Sequence, residues 1–234
     1  MFTFKQFSVN DSRCAMKVGA DSVLLGAWMS IGGAARLLDA GCGCGLLALM
    51  AAQRLADAGA SDYQIDAVDI EPGAVADSLD NFAASPWAGH LSARQISLQD
   101  YAACYDGPRY GHIFCNPPYY DDSPSSSSAE RDKARSTTTL SREELLSAAS
   151  RLLDGQGLLS LVLPAAQGKK MLLGATLAGW SLRRQCFVCT KEGAAPKRLM
   201  LELSPAPGPL KTETLTVGGE RYLELTSGFY LRAL

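Results

Sequence analysis

The chain lacks any apolar run near the roughly 18 residues that a membrane-spanning helix needs, and no membrane partner is expected. Its opening, MFTFKQFSVNDSR, has no basic stretch followed by an apolar core, so no secretory signal is expected and the cytoplasm is the expected compartment. Histidine is scarce: His90 and His112 are the only two, and both lie far in sequence from Cys186 and Cys189, the C-x-x-C pair. The seven cysteines are odd in number and irregular in spacing, which argues against a disulfide framework. No second pair completes a zinc site, so no metal is expected and buried strand thiols are the plainer reading. Nor is there an excess of basic charge. With a formal net charge of −2, any nucleic acid must be met by local basic patches. Candidate patches are Lys5, Arg13 and Lys17; Arg131, Lys133 and Arg135; and Arg183, Arg184, Lys191, Lys197 and Arg198. Each is an ordinary solvated face unless the fold gathers it around a cleft.

What is present is a strand–helix alternation. RLLDAG (36–41), QIDAVDI (64–70), LSARQISLQD (91–100), HIFCN (112–116) and GLLSLVLP (157–164) read as strands. LLALMAAQRLA (46–56), PGAVADSLDNFAA (72–84), SREELLSAASRLLD (141–154) and AAQGKKMLLGATLAGW (165–180) read as helices, the last interrupted by glycine. Pro72 suits a first helical turn, and Ser141 with Glu144 forms a capping box. This order implies an α/β fold: a doubly wound, Rossmann-like, mostly parallel sheet with helices on both faces. SLRRQCFVCT and KRLMLELSP, with no helix between them, add an antiparallel edge strand. Residues 205–219 read as a loop and a short strand, and the tail from 220 as a terminal helix with aromatics on one side. The serine-rich segment 121–141 cannot bury enough apolar surface to offset its ordering entropy and reads as a mobile, lid-like loop. One domain over 1–234 is expected, with an N-terminal extension over 1–30 and a C-terminal tail over 205–234.

In doubly wound sheets ligands bind beyond the carboxyl ends of the strands. There the sequence places Asp39 and the glycines Gly41, Gly43 and Gly45 of DAGCGCG. The spacing G-x-G-x-G has Leu46 where a dinucleotide fingerprint needs glycine, which weakens a nicotinamide reading. Asp69, which ends the second strand in AVDIEP, can accept both hydroxyls of a ribose; Asp100, ending the third in SLQDY, can accept from an adenine amine. Acidic strand ends suit a cofactor that has a sulfonium and no phosphates, and S-adenosyl-L-methionine fits. A lone strand-end aspartate is more often a cap or turn former, but three in register are harder to dismiss.

The fourth strand delivers Asn116-Pro117-Pro118-Tyr119. Methylating a conjugated amine requires two acceptors for its N–H groups, which draw the nitrogen toward tetrahedral geometry. The Asn116 side-chain oxygen and the Pro117 carbonyl can serve, held rigid by two prolines, with Tyr119 as a stacking face for a base. No Ser-His-Asp or Cys-His constellation competes for this cleft.

Together, DAGCGCG, VDIE, LQD and NPPY resemble the class I S-adenosylmethionine-dependent methyltransferases, over residues 17 to 204. The resemblance implies a seven-stranded sheet with an antiparallel last strand, and Ile70 and Tyr101 fall beside its cofactor-site acids. The opening segment, SPWAG (85–89), NPPYY, ARSTTTL (134–140) and the closing FYL (229–231) are similar to the bacterial tRNA adenine-37 N6-methyltransferases that act on a valine tRNA. That likeness implies an RNA adenine-N6 methyltransferase whose partner is a tRNA anticodon loop, with Lys17 to Asp21 beside the methionine end of the cofactor. Asp21 is equally suited to capping the helix that follows. Arg131, Lys133 and Arg135 are then expected to meet loop phosphates. The alternatives are an NPPY-type enzyme acting on rRNA, DNA or a protein glutamine, and a non-catalytic RNA-binding module. Nothing in the sequence sets an oligomeric state.

Overall fold

The computed structural model describes residues 1–33, 35–117 and 140–231. Pro118, Tyr119, Arg131, Lys133, Arg135 and the serine-rich segment up to residue 139 lie outside the described residues.

A short antiparallel pair, β1 (Phe2–Thr3) with β2 (Ser8–Val9), precedes helix α1 (Ala20–Trp28). Alternation then begins: β3 (Arg36–Ala40), α2 (Leu46–Asp57), β4 (Gln64–Asp69), α3 (Pro72–Ala83), β5 (Leu91–Gln95), α4 (Leu98–Cys104) and β6 (Tyr110–Cys115). After the undescribed segment come α5 (Arg142–Leu152), β7 (Leu153–Pro164), α6 (Ala165–Leu177), β8 (Ser181–Cys189), β9 (Arg198–Ser204), β10 (Lys211–Thr216) and α7 (Glu220–Thr226). The main sheet has the order β10-β8-β9-β7-β6-β3-β4-β5. From β3 the chain builds outward through β4 and β5, then crosses to β6 on the other side. The switch point therefore lies between β3 and β6, which pair in parallel with Asp39 opposite Phe114.

Apolar side chains cover both faces. α1, α2 and α3 share one core with Phe4, Phe7, Phe229 and Tyr230. α4, α5 and α6 share the other, around Leu38, Ile113, Leu159 and Leu201. Sheets buried on both faces favour strands rich in apolar residues, and β3, β6 and β7 carry the runs Leu37–Leu38, Ile113–Phe114 and Leu161–Val162–Leu163.

The expected antiparallel strand is present near one margin of the sheet. β9 runs against both β7 and β8, and β8 in turn pairs in parallel with β10. Among the described residues the sheet has eight strands, one more than the expected seven. The eighth is β10, where KTETLT aligns six residues along the open side of β8 and buries Leu215. Two boundaries also differ. The strand expected over 91–100 stops at Gln95, because the Ser97 hydroxyl accepts the Asp100 N–H and starts α4. α6 runs unbroken through Gly168, where a Cβ would come within 2.8 Å of the Leu199 Cβ, so the glycine lets the helix lie close on β9. The capping box at α5 is formed as expected. Among the described residues no helix is long and apolar enough to cross a membrane.

Candidate active site

β3 ends in a loop that only glycine can follow. Gly41, Gly43 and Gly45 have φ of +72°, +54° and +79°, the left-handed region that other residues enter at a cost. A Cβ on Gly45 would also lie 2.4 Å from a Phe82 ring carbon, whereas Gly41 and Gly43 face open space. The loop is tied down from two sides. The N–H groups of Gly41 and Cys42 donate to the Val68 carbonyl at 2.9 and 3.0 Å. Ser78 Oγ donates to the Gly43 carbonyl at 2.7 Å, and Asn81 Nδ2 to the Cys44 carbonyl at 2.9 Å. Asp77, Ser78 and Asn81 form a buried polar stripe on α3 at helical spacing, a signal present in the sequence but not read there.

Asp69 sits where the sequence places it, at the end of β4. One carboxylate oxygen accepts the Gly43 N–H at 2.9 Å and the other the Glu71 N–H at 3.0 Å, so the group joins the glycine loop to the entry of α3. Ile70 beside it is exposed. Asp39 is fully buried. Its Oδ2 accepts the Ala48 N–H at 3.0 Å, and its Oδ1 has no partner among the described residues. Burial, reinforced by the negative charge of Asp69 and opposed by the Ala48 N–H, pushes this carboxyl up to about 8. With no exposed surface, Asp39 braces the end of β3 against the start of α2 through the Ala48 N–H.

The remaining expected contacts divide. Asp100 is exposed, but in the first turn of α4 rather than at a strand end, and its Oδ2 accepts the Ser97 hydroxyl at 2.7 Å. Tyr101 belongs to the core: its hydroxyl meets that of Tyr110 at 2.5 Å, and Tyr110 donates to Asp66 at 2.6 Å. Tyr110 opens β6, so this chain of bonds lies toward the amino-terminal end of the strands, away from the glycine loop. Lys17 spends its ammonium on the carbonyls of Asp11, Ser12 and Cys14, at 2.6, 3.3 and 3.0 Å. Asp21 does not cap α1, whose N-cap is Gly19; it accepts from Arg198 Nε at 2.7 Å.

Asn116 leaves β6 at the same end of the sheet as Asp39 and Asp69. Its Nδ2 donates to Ser22 Oγ in the first turn of α1 at 2.8 Å, and Pro117 after it is buried. Ser22 carries no sequence signal, because its partner is 94 residues away.

The donor set fits a sulfonium nucleoside. Two left-handed glycines face open space, and a strand-end carboxylate, which suits ribose hydroxyls rather than phosphates, lies beside them.

Comparison with known proteins agrees with this geometry. The family model described as "Methyltransferase small domain" matches residues 14–185. The tRNA1(Val) (adenine(37)-N6)-methyltransferase of Tolumonas auensis is 41% identical, covering 99% of this chain and 97% of that protein. The enzyme of the same name from Erwinia tasmaniensis is 40% identical, covering 98% and 94%. Among solved structures, a predicted O-methyltransferase from Agrobacterium tumefaciens superposes with a TM-score of 0.67 at 14% identity, over 89% of this chain and 96% of that one; it shows the fold alone. The chain therefore belongs to the methyltransferase small domain family and, within it, to the tRNA1(Val) (adenine(37)-N6)-methyltransferases.

Proposed function

We propose that this protein transfers a methyl group from S-adenosylmethionine to N6 of adenine-37 in a valine tRNA. The observation that carries the reading is the place of Asn116, which leaves β6 beside the glycine-loop strand β3 at the carboxyl end of the sheet. It stands in a chain 40–41% identical to enzymes of that name over nearly its whole length.

The cofactor, when bound, supplies a methyl group on a positively charged sulfur. The chain's own residues orient it and its target. Gly41 and Gly43 allow close backbone approach, and the Asp69 oxygens keep lone pairs for ribose hydroxyls beyond the two N–H groups they already accept. Ile70 and Asp100, both exposed, would hold the cofactor's adenine, with Asp100 able to accept from its amine. At the target, the Asn116 side-chain oxygen and the Pro117 carbonyl accept the two N–H groups of N6. This raises nitrogen lone-pair density as the new bond forms and needs little reorganisation. The roles of Pro118 in stiffening the motif, of Tyr119 in stacking the base, and of Arg131, Lys133 and Arg135 in meeting loop phosphates rest on the sequence. A purine in an anticodon loop is already partly unstacked, so presenting it costs less than extracting a base from a duplex.

The test incubates the protein with labelled cofactor and total tRNA lacking the modification, then maps the labelled nucleoside. Label at N6 of adenine-37 is expected. Asn116→Ala should lower methyl transfer by about 100-fold or more while leaving cofactor affinity unchanged. Label in a protein glutamine, or in no RNA, overturns the reading.

A further inference from the structure

The basic side chains scattered along the sequence meet different fates in the fold. Most are spent internally. Lys5 Nζ donates to the Ser227 carbonyl at 2.7 Å, and Arg13 pairs with Asp77 and Asp80. Arg184 lies over Trp28 between Glu202 and Glu213. Arg183 lies against the backbone of Gly208, where a Cβ would collide with its guanidinium.

A second group is not spent. The β8–β9 turn, residues 190–197, carries Lys191 and Lys197, and α6 carries Lys169. All three are exposed, and none has a carboxylate or other side-chain partner among the described residues. Their place is set by strand register. Arg198, which opens β9, pairs with Pro164, which closes β7, and β7 pairs in parallel with β6 as far as Cys115, one residue before Asn116. The turn therefore projects from the end of the sheet that carries the active site. The start of α6 hangs on it, because Ala165 donates its N–H to the Lys197 carbonyl at 3.1 Å. At its root, Arg198 holds Asp21, and the next residue, Ser22, holds Asn116. Glu192 is the only acid in the turn, and α6 has none.

We propose that Lys169, Lys191 and Lys197 form a phosphate-binding rim that holds the tRNA backbone beside the target adenine. The inference rests on the tRNA reading above and adds the surface that makes the contact. Unpaired ammonium groups on adjoining elements raise the local positive potential, in a chain whose net charge is −2, and a polyanion laid across them meets it. Lysines on a turn and a helix face give charge without base contacts, so they set position and affinity rather than sequence choice.

The test replaces the three lysines together, Lys169→Ala, Lys191→Ala and Lys197→Ala, with the matching triple arginine variant as control. For the alanine variant, tRNA affinity should fall by about tenfold or more at physiological salt, and the slope of log affinity against log salt should become shallower by about 2. Calorimetric affinity for the cofactor and kcat at saturating tRNA should not change, and the arginine variant should bind like the original. Unchanged tRNA affinity and salt slope in the alanine variant, with the unsubstituted protein active, overturns the rim alone. Failure of the unsubstituted protein to bind or methylate tRNA overturns the functional reading and the rim together.

Discussion

Asp39 brings two carboxyl oxygens to a buried place that offers one donor, the Ala48 N–H. Its proton is held up to about pH 8, against an ordinary value of 3.8. Between those values the folded protein binds more protons than the unfolded chain, so this group makes stability fall as pH rises from about 4 to about 8. Asp39→Asn keeps an acceptor for Ala48 and removes the titration. Its thermal midpoint should vary less across that interval than that of the unsubstituted protein, and parallel curves would refute the assignment. Single residues were unevenly legible in the sequence. The glycines and Asp69 were readable because a strand followed by G-x-G-x-G leaves little choice of place. Asp100 was misplaced because Ser97 starts a helix by the same side-chain cap that was recognised at Ser141, but within a segment that looks like strand. Ser22 was invisible, since periodicity and caps are local and its bond to Asn116 is not.

α1 is an element fixed at both ends. Near its start, Asp21 and Ser22 tie it to Arg198 and Asn116. At its end, Trp28 Nε1 donates to Glu213 at 2.6 Å, while the Ser30 N–H and hydroxyl donate to Glu202 at 2.5 and 2.9 Å. Glu202 also receives Arg184 and the hydroxyl of Ser160, which in turn meets His112 Nε2 at 2.7 Å. Burial holds that imidazole neutral, at about 4, so the cations acting on Glu202 are Arg184, which it bonds, and Arg54. Glu202→Ala would leave the Ser30 donors without their acceptor and Arg184 with Glu213 as its one carboxylate, and should destabilise the protein by about 1–3 kcal/mol in urea unfolding. A loss under 1 kcal/mol would mean that the network relaxes onto water. Helices and strands were largely legible because this sheet is buried on both faces and its strands are short apolar runs between helices of clear period. Glu202 shows the limit of that signal. In RLMLELS it stands where an outward-facing residue would, yet it is buried against α1. β10 marks another limit: KTETLT is too polar to announce a full strand, and only the open side of β8 makes it one.

Across the whole molecule, the two ends of the described chain close on each other. Phe4 stacks on Phe7 at 4.7 Å and on Tyr230 at 6.1 Å, and the Lys5 N–H donates to the Phe229 carbonyl at 2.9 Å. From this clasp the N-terminal segment rises to the site, where Asn10 and Asn81 exchange hydrogen bonds of 2.8 Å and Asn81 holds the glycine loop. Phe4→Ala removes a buried ring shared by both ends and should lower stability by about 3–5 kcal/mol, read as a lower urea midpoint with an unchanged slope. A midpoint shift near zero would show that the clasp is not part of the cooperative unit. The closing FYL was matched to the family from sequence, but its partner at the other end was not foreseen, because nothing in a linear pattern pairs residue 4 with residue 230. The separation has a consequence for synthesis. Lys5 and Ser227 are 222 residues apart, which at 5–20 residues per second is roughly 10–45 seconds of translation. For that time Phe2 and Phe4 lack Tyr230, the ring both meet across the clasp, while Phe7 gains Trp87 after only 80 residues. The nascent chain thus carries a half-covered aromatic pair, open to whatever binds such rings, until residues 229 and 230 arrive.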